Sequence, residues 1–560
     1  MTSRLVLLLI ILFASIAAAA QAVNSAQETA AVTAADQLFM QGKIADAANR
    51  YRAIAGADPS SVDAQVGLLR SYLILGKLDD AKAAADTALM VLPNSWLLQS
   101  TVGDLQFRLG KIPEAERSYF RAKELKPDEA APYLGLARIY RAYSLYRRAY
   151  DNMNKAHDIA PNDFAVQLLW INSLPHEERV PALQNYINGS KAKGFQVAKQ
   201  LEQYLAYLKK NADAPVHACK LASNVKETNT KLYPIPRSGT QLGASGLSVK
   251  VNKQELHLAL DTGASGVLLG RTAAEQAGLQ RLAYQPIAGM GDTGATGGYT
   301  AVADRIRVGD LEFQDCVVRV TDAATPVPGQ DGLIGSDVFS SYLIDLDIPG
   351  AKLRLSPLPK RPDETAAPTS LRTESQDTQE LEPEATAESS AAAGKNAAAN
   401  LPKDAYVAPE MANWAKVYRF RSVLLMPTKV DHSAPMLFLI DTGSYNNVLS
   451  TRAAREVTQL RADPSHRIQG LSGSVSKVYS ADKATLEFGI GSNGVGRYQQ
   501  QNQDVTTFDL SNISNHTGTE VSGILGYSML RILQVKIDYR DGLVDFNFDP
   551  NRLPKQIKLK

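Results

Sequence analysis

Two stretches of this chain share one pattern of apolar residues around an Asp-Thr-Gly triplet, and this duplication limits the folds that its C-terminal half can adopt. They read LHLALDTGASGVLLG and MLFLIDTGSYNNVLS, each an apolar run that leads directly into Asp-Thr-Gly. The later landmarks recur in the same order, IAGMG and DGLIGSDVF in the first copy and IQGLSG and SGILGYSML in the second. The sequence therefore predicts two copies of one folding unit.

Both copies have the composition of β-structure. Short Val, Leu and Ile runs separated by Gly-containing turns are typical of strands, and they extend over residues 233–358 and 412–550. The segment between them, residues 359–411, is rich in Pro, Ser, Ala, Thr and Glu and nearly lacks large apolar residues. Such a composition cannot bury enough surface to fold, so we expect a disordered linker joining two β lobes.

The N-terminal part has a different periodicity. Between residues 31 and 175, turn and helix-ending residues recur every 34 positions as Gly42, Gly76, Gly110 and Ser144, and as Pro59, Pro93, Pro127 and Pro161. This period resembles that of tetratricopeptide repeats, which implies a solenoid of four helical pairs with a concave face for a protein or peptide partner. Residues 176–232 are predicted to be a helical cap and connector.

The first 22 residues place one Arg ahead of an apolar run that ends in small residues. This order predicts a secretory signal peptide, with an uncleaved membrane anchor as the alternative. Either interpretation puts the protein outside the cytoplasm, in the periplasm or the extracellular space. The two cysteines, Cys219 and Cys316, are either a disulfide in that compartment or two small buried side chains. A net charge of +2 over 560 residues gives no reason to expect a nucleic-acid partner.

Each β copy resembles a retropepsin, the single-lobe aspartic protease of the retroviral type. The resemblance depends on three features in order: the apolar strand before Asp-Thr-Gly, a glycine-bearing flap, and an apolar-apolar-Gly motif. It implies a multidomain chain, with an all-α repeat solenoid followed by two all-β acid-protease lobes. Two such lobes in one chain imply intrachain pairing and a monomer rather than a dimer.

The resemblance assigns catalysis to Asp261 and Asp441. Hydrolysis without a covalent intermediate needs one group to accept a proton from water and another to donate one, and two adjacent carboxylates that share a proton supply both. Turn support is expected from the residues around each Asp: Thr262, Gly263, Ser265, Thr442, Gly443 and Ser444. Because Ala264 stands where the second copy has Ser444, we expect the serine hydroxyl to support Asp441 alone.

The flaps are predicted around Gly289 and Gly291 in the first copy and around Gly470 and Gly473 in the second. A third Asp-Thr-Gly at 292–294 lacks a preceding apolar strand, so we interpret it as a turn. The glycine patterns at 289–294 and 489–494 match a dinucleotide motif but open no predicted helix. No metal or cofactor is expected.

These features predict an exported aspartic endopeptidase that cleaves polypeptides and uses its repeats to dock a substrate or partner. The alternative is a non-catalytic envelope interaction protein, in which the repeats bind partners and degenerate protease-like lobes hold a peptide. Retention of both Asp-Thr-Gly triplets favours the enzyme.

Overall fold

The computed structural model describes residues 28–552 apart from gaps at 175, 193–196, 198, 211–216, 218, 239–240, 288, 292–293, 295, 323–326, 363–402, 465–467, 471–472 and 490–497. The predicted signal segment and most of the predicted linker lie outside the described residues. Within the described part, no helix combines the length and apolarity needed to cross a membrane. The chain divides into two compact units, one comprising residues up to Ile139 with Asp158–Ala160 and the other the rest.

The N-terminal region is helical, as predicted. Helix α1 covers residues 28–40. It is followed by α2 (Ile44–Ala57), α3 (Val62–Ile74), α4 (Leu78–Val91), α5 (Trp96–Arg108), α6 (Ile112–Leu125), α7 (Ala130–Ala142) and α8 (Tyr146–Ile159). The turn residues that set the 34-residue period have positive φ angles, 75° at Gly42 and 59° at Ser144. This conformation ends one helix and redirects the chain into the next.

Small residues let successive helices of the repeats approach each other. Tyr51 and Tyr119 are almost fully buried. A Cβ added at Gly67 would lie 2.5 Å from the Tyr51 ring, and one at Gly103 would lie 2.7 Å from the Tyr119 ring. The aromatic ring of one helix thus fills the space that glycine leaves on its neighbour, which is close packing of the kind that makes substitution costly.

Three more helices follow: α9 (Phe164–Ser173), α10 (His176–Ala192) and α11 (Lys199–Lys210). Strands then begin earlier than the predicted lobe boundary at residue 233, with β1 (Lys220–Leu221) and β2 (Thr228–Ser238). The connector is therefore helical only in its first part. Cys219, next to β1, forms a disulfide with Cys316, which selects one of the two alternatives left by the sequence.

The first lobe continues with β3 (Gln241–Val251), β4 (Gln254–Asp261), β5 (Val267–Gly270), α12 (Arg271–Gln276), β6 (Gln280–Tyr284), β7 (Gly298–Val308), β8 (Leu311–Thr321), β9 (Gly332–Gly335), a 3-10 turn (Ser336–Phe339), β10 (Tyr342–Asp347) and β11 (Lys352–Pro357). Most strands alternate buried and exposed residues, because one face packs on the core. The short strands β5 and β9 are buried along their whole length.

The second lobe repeats this order. A 3-10 turn (Pro409–Met411) precedes β12 (Ala415–Lys416), β13 (Tyr418–Phe420), β14 (Val423–Val430), β15 (Met436–Asp441), β16 (Val448–Ser450), α13 (Thr451–Val457), β17 (Leu460–Ala462), β18 (Ile468–Gly470), β19 (Gly473–Val475), β20 (Tyr479–Phe488), β21 (Tyr498–Phe508), α14 (Ser511–Thr517), β22 (Gly523–Gly526), α15 (Tyr527–Leu530), β23 (Leu533–Asp538) and β24 (Leu543–Phe548). A further 3-10 turn covers Pro550–Arg552. Helix α14 has no counterpart among the described residues of the first lobe.

The two lobes are joined by a shared sheet. Strand β10 of the first lobe pairs antiparallel with β23 of the second, with Ile344 opposite Ile537. The strand order β12-β24-β23-β10-β11-β2 takes three strands from each lobe. Strands of the two lobes therefore form one continuous sheet.

The described ends of the predicted linker are attached to the second lobe. Arg361 donates to Asp541 Oδ1 at 2.7 Å, and the Tyr406 backbone N–H donates to the same oxygen at 2.9 Å. Arg540 donates to the Pro359 carbonyl at 2.8 Å. Residues 359–362 and 403–411 are therefore part of the lobe structure, because Arg361 neutralises the buried Asp541 carboxylate and the backbone groups of Tyr406 and Pro359 hydrogen-bond to the second lobe.

Candidate active site

Each predicted catalytic aspartate is the last residue of a strand, and the three residues that precede it are buried. Asp261 ends β4 and Asp441 ends β15. Strand β4 pairs in parallel with β9, which places Asp261 opposite Gly335, and β15 pairs in the same way with β22, which places Asp441 opposite Gly526. The apolar-apolar-Gly motif of each lobe thus runs beside its catalytic strand and fixes the position of the Asp backbone.

The two turns are held together by reciprocal hydrogen bonds between Thr262 and Thr442. The Thr262 backbone N–H donates to Thr442 Oγ1 at 3.0 Å, and the Thr442 N–H donates to Thr262 Oγ1 at 2.9 Å. Each hydroxyl then donates across the lobe boundary, from Thr262 to the Ile440 carbonyl and from Thr442 to the Leu260 carbonyl, both at 2.9 Å. All four bonds are buried, so none competes with water.

Glycine follows each threonine because the carboxylates lie against the opposite turn. A Cβ at Gly263 would lie 2.6 Å from Asp441 Cγ, and a Cβ at Gly443 would collide with the Asp261 carboxyl group. Any side chain at either position would push the lobes apart. The glycines therefore allow the close approach of the two carboxyl groups that a shared proton requires.

Backbone donors are distributed unequally between the carboxylates. Asp441 Oδ1 accepts the N–H groups of Gly443 at 2.8 Å and Ser444 at 3.1 Å. Asp261 Oδ1 accepts the Gly263 N–H at 2.8 Å. Burial and the neighbouring charge of Asp441 raise the pKa of Asp261 well above its ordinary value. Burial also raises the pKa of Asp441, and that rise is opposed by the hydrogen bond with Asp261 and then by the backbone N–H groups of Ser444 and Gly443. Because two adjacent carboxyls share one proton, one of them is ionised, and the Ser444 N–H bond to Asp441 Oδ1 favours Asp441 as the ionised member.

The predicted supporting serines do not contact the aspartates through their hydroxyls. Ser444 Oγ donates to the Asn446 carbonyl at 3.3 Å, so only the backbone N–H of Ser444 supports Asp441. The expectation that its hydroxyl would do so was wrong. Ser265 Oγ donates to Asp337 Oδ2 at 3.0 Å, which holds the turn from the side.

Two residues that hold the turns in place, Asp337 and Asn447, were not predicted from the sequence. The buried carboxylate of Asp337 accepts the Gly266 N–H at 2.9 Å in addition to the Ser265 hydroxyl. In the second lobe, Asn447 Oδ1 accepts the Gly526 N–H at 2.9 Å. Each side chain connects a catalytic turn to the neighbouring apolar-apolar-Gly motif. A single Asp inside the apolar stretch GLIGSDVF was a usable signal for the first of them.

The predicted flap glycines lie in two segments that contact each other. In the first lobe, Ile287 and Thr296 form a β-bridge around Gly289 and Gly291, and in the second lobe β18 and β19 pair around Gly470 and Gly473. A Cβ at Gly470 would lie 2.9 Å from Met290 Cβ. Gly291 has φ 133°, a conformation that other residues rarely adopt. Asp292 and Thr293 of the third Asp-Thr-Gly lie outside the described residues.

An arginine of the first lobe contacts a tyrosine just after the Asp-Thr-Gly triplet of the second lobe. The Arg237 guanidinium, at the end of β2, lies 4.1 Å from the centre of the Tyr445 ring. Such cation–π contacts between exposed groups are worth about 0.5–1 kcal/mol. Within the described residues, no group of three or more His, Cys, Asp or Glu side chains is arranged to hold a metal ion.

Comparison with known protein families agrees with these observations. Residues 247–338 match the aspartyl protease family model, a span that includes Asp261 and the Gly335 motif. Residues 38–101 match the tetratricopeptide repeat model. A search of curated proteins found no match.

Solved structures resemble the helical region only distantly. A thermophilic TPR protein of Thermus thermophilus is 15% identical, with a TM-score of 0.29 over 33% of this chain and 99% of that one. Pseudomonas aeruginosa pilF is 18% identical, with a TM-score of 0.26 over 33% of this chain and 86% of that one. MamA is 18% identical, with a TM-score of 0.21 over 32% of this chain and 94% of that one. Similarities this low carry no argument about the present chain.

Proposed function

We propose that this chain, which carries an aspartyl protease domain and tetratricopeptide repeats, is an exported aspartic endopeptidase. The observation that supports the proposal most is the Thr262 to Thr442 lock, which brings Asp261 and Asp441 together in one cleft. Polypeptide is the proposed substrate class, because the resemblance to retropepsin lobes implies a flap-covered cleft between the lobes, which suits an extended chain.

In the proposed reaction the pair begins with one proton, held by Asp261, while Asp441 is ionised. Asp441 accepts a proton from a water molecule as the water oxygen bonds to the scissile carbonyl carbon. Asp261 gives its proton to the carbonyl oxygen, which produces a tetrahedral diol. The diol then collapses as the C–N bond breaks, and the amine nitrogen takes the proton from Asp441 while one diol hydroxyl returns its proton to Asp261. The products are a carboxylic acid and an amine, and the pair regains its single proton.

This mechanism predicts a bell-shaped dependence of kcat/KM on pH. Activity falls at low pH when Asp441 is protonated and at high pH when Asp261 loses its proton. Because burial and the neighbouring charge of Asp441 raise the pKa of Asp261 well above its ordinary value, the alkaline limb lies at higher pH than for an ordinary carboxyl.

The direct test is digestion of a denatured protein pool by the purified full chain across acidic to neutral pH, with mapping of the new termini. Asp261→Asn and Asp441→Asn should each lower kcat/KM by at least about 10²–10⁴-fold, because each removes one proton-transfer role. Asp292→Asn, in the third triplet, is the control and should stay active, and a chelator should have no effect. Full activity in either dyad variant, or no cleavage by the wild type at any pH, would contradict the proposal; the latter favours the non-catalytic alternative.

The proposal also includes export of the protein, pairing of the two lobes within one chain, and docking of a partner by the repeats. The Cys219 to Cys316 disulfide is consistent with an oxidising compartment such as the periplasm or the extracellular space. The cross-lobe sheet favours a monomer, since the second lobe already occupies the edge that a partner chain would use. The repeats would dock a substrate or partner protein. Cell fractionation with thiol alkylation tests the export proposal, and free thiols in a cytosolic protein would contradict it.

A further inference from the structure

The first compact unit contains a pocket of about 320 Å³ on the helices of the first repeats. Its walls come from α1, α2, α3 and the start of α5. The apolar part of the lining is Phe39, Val66 and Leu97, and the charged part is Asp36, Asp63 and Arg70. At this size the pocket is within the usual range for ligand sites, about 300–1,000 Å³.

The same side chains recur two repeat periods later in a different arrangement. There, Tyr119 donates its hydroxyl to Asp104 Oδ1 at 2.8 Å. Arg138 completes the cluster, since its Nη2 donates to the same Asp104 oxygen and to the Tyr119 hydroxyl at 3.0 Å. This second cluster shows how a guanidinium is held by an Asp and Tyr pair at these repeat positions.

In the first repeats the equivalent pair is Asp36 and Tyr51, and no guanidinium among the described residues donates a hydrogen bond to it. Tyr51 donates to Asp36, as Tyr119 does to Asp104. Burial and the Asp36 charge raise the pKa of Tyr51, so its hydroxyl keeps its proton and remains a donor. Arg70 holds the repeat position of Arg138, but it makes no hydrogen bond or ion pair with any residue that the structure describes, and neither does Asp63.

We propose that this pocket binds a lysine or arginine side chain of an extended segment in a partner or substrate protein. The cationic end would take the place on Asp36 and Tyr51 that Arg138 takes on Asp104 and Tyr119, with Asp63 as a second acceptor. The aliphatic stem would lie along Phe39, Val66 and Leu97. Two carboxylates against one guanidinium give the pocket a net negative charge that complements a cation. The inference rests on the docking role proposed for the repeats and not on catalysis.

The test measures binding to the full chain carrying Asp261→Asn and Asp441→Asn, so that no peptide is cut. The probes are fluorescein-labelled decapeptides that differ only in one central residue, which is Lys, Arg, norleucine or Glu. We expect the Lys and Arg peptides to bind about tenfold more tightly than the norleucine peptide, because only a cationic side chain can donate charged hydrogen bonds to the two carboxylates. Added salt should weaken this preference.

Substitutions then locate the site. Asp36→Asn and Asp63→Asn should each remove most of the preference, although the amide oxygen introduced by Asp36→Asn would still accept from Tyr51 and preserve the fold. Asp46→Asn, an exposed Asp of α2 outside the pocket, is the matched control and should leave the affinities unchanged. Arg70→Gln should tighten binding of the Lys peptide, because it removes the competing cation.

Equal affinity for the Lys and norleucine peptides would overturn the proposal. So would tightest binding of the Glu peptide with loss of that binding in Arg70→Gln, which would make the pocket an anion site. Because the dyad is inactivated in every arm, these outcomes are independent of whether the lobes cleave peptides.

Discussion

The two lobes hold their Asp-Thr-Gly turns with different side chains. In the first lobe a carboxylate beside the apolar-apolar-Gly motif accepts a hydrogen bond from the turn, whereas in the second lobe an amide in the turn accepts one from the motif. Asp337 follows the apolar-apolar-Gly motif and accepts the Gly266 N–H of the turn at 2.9 Å. Asn447 belongs to the turn and accepts the Gly526 N–H of the motif at 2.9 Å. Both bonds join the same two segments. Both copies therefore link the turn to the motif, but they use different side chains to do so.

Contacts across the lobe boundary differ between the copies too. Ser336 and Tyr527 each follow the last Gly of the motif in their lobe. Ser336 bonds the hydroxyl of Tyr539 at 2.7 Å, while Tyr527 bonds the hydroxyl of Ser245 at 3.0 Å. A twofold pairing of identical lobes would make these contacts the same. The contacts that the two lobes make across their boundary are therefore not equivalent.

The largest expected effect on activity comes from mixing two inactive variants, which tests whether the two lobes pair within one chain. If the cleft forms within one chain, Asp261→Asn and Asp441→Asn proteins remain inactive together, because no chain has both aspartates. Pairing between chains would restore activity on mixing. The measurement is peptide cleavage at several protein concentrations beside sedimentation of the wild type, which we expect to be a monomer.

The control for mixing is wild type diluted with either variant. Its activity should equal that of the wild-type fraction alone. Recovery of cleavage in the mixed variants, or loss of wild-type activity on dilution, would show that each lobe pairs with a lobe of another chain.

The hydrogen bonds of Thr262 and Thr442 are equivalent in the two copies. Removal of either hydroxyl should therefore lower the free energy of unfolding by the same amount. Thr262→Val and Thr442→Val each remove a hydroxyl that accepts one buried N–H and donates to one buried carbonyl. Leaving two such groups unsatisfied should lower the free energy of unfolding by about 2–5 kcal/mol. Urea unfolding measures the loss, and Thr→Ser at either position should retain most of the stability. A difference of several kcal/mol between the two valine variants would contradict the equivalence.

The last residues of the two cross-lobe strands, β10 and β23, also have different surroundings in the two copies. Asp347, at the end of β10, is 16% exposed and forms an ion pair with Arg552. Asp538, at the end of β23, is fully buried, and its Oδ2 has no hydrogen-bond partner among the described residues. Burial, followed by the charge of Asp541, raises the pKa of Asp538 to about 7, and the nearby Arg540 opposes that rise.

This raised pKa predicts a loss of stability with rising pH. The folded state holds a proton on Asp538 that the unfolded chain has already lost, so the free energy of unfolding falls as pH rises from about 4 to about 7. Asp538→Asn, which mimics the protonated form, should gain stability relative to wild type across that window, on the order of a few kcal/mol. Urea unfolding at pH 4, 6 and 8 measures the difference, and a difference that stays constant with pH would contradict the assignment. Asp347→Asn, the matched variant, should cost less than about 1 kcal/mol at pH 7 because it removes a part-exposed ion pair.

The parts of the site that could be predicted from the sequence are those encoded by adjacent residues. An apolar strand that runs into Asp-Thr-Gly specifies a rigid carboxylate at a sharp turn, and repetition of the pattern indicated that Asp261 and Asp441 belong to one cleft. The 34-residue period likewise predicted the helical pairs, because it depends on turn residues such as Gly42 and Gly76 at a fixed spacing.

The side chains that hold the two turns and the boundaries of the lobes could not be predicted, because they depend on contacts between residues that are distant in the sequence. Asp337 lies 71 residues from Gly266, and Asn447 lies 79 residues from Gly526. The short strand β1 exists because it pairs with β8, so local composition at residues 220–221 carried no sign of it. The linker ends have the composition of a loop, and only the buried Asp541 explains why Arg361 and Tyr406 are fixed.

The smallest expected effect concerns Ser444, the position where the copies differ next to the catalytic aspartates. Its hydroxyl donates to the Asn446 carbonyl at 3.3 Å, and Asp441 is supported by the backbone N–H, which alanine keeps. Ser444→Ala should therefore leave kcat/KM within about threefold and the acidic limb of the pH profile unchanged. Ala264→Ser in the first lobe is the reciprocal control. If the hydroxyl does bond Asp441, its removal raises the pKa of that carboxyl, and the acidic limb of Ser444→Ala moves to higher pH. A shift in that direction would make the serine, rather than the backbone donors alone, the cause of the inequality between the two aspartates.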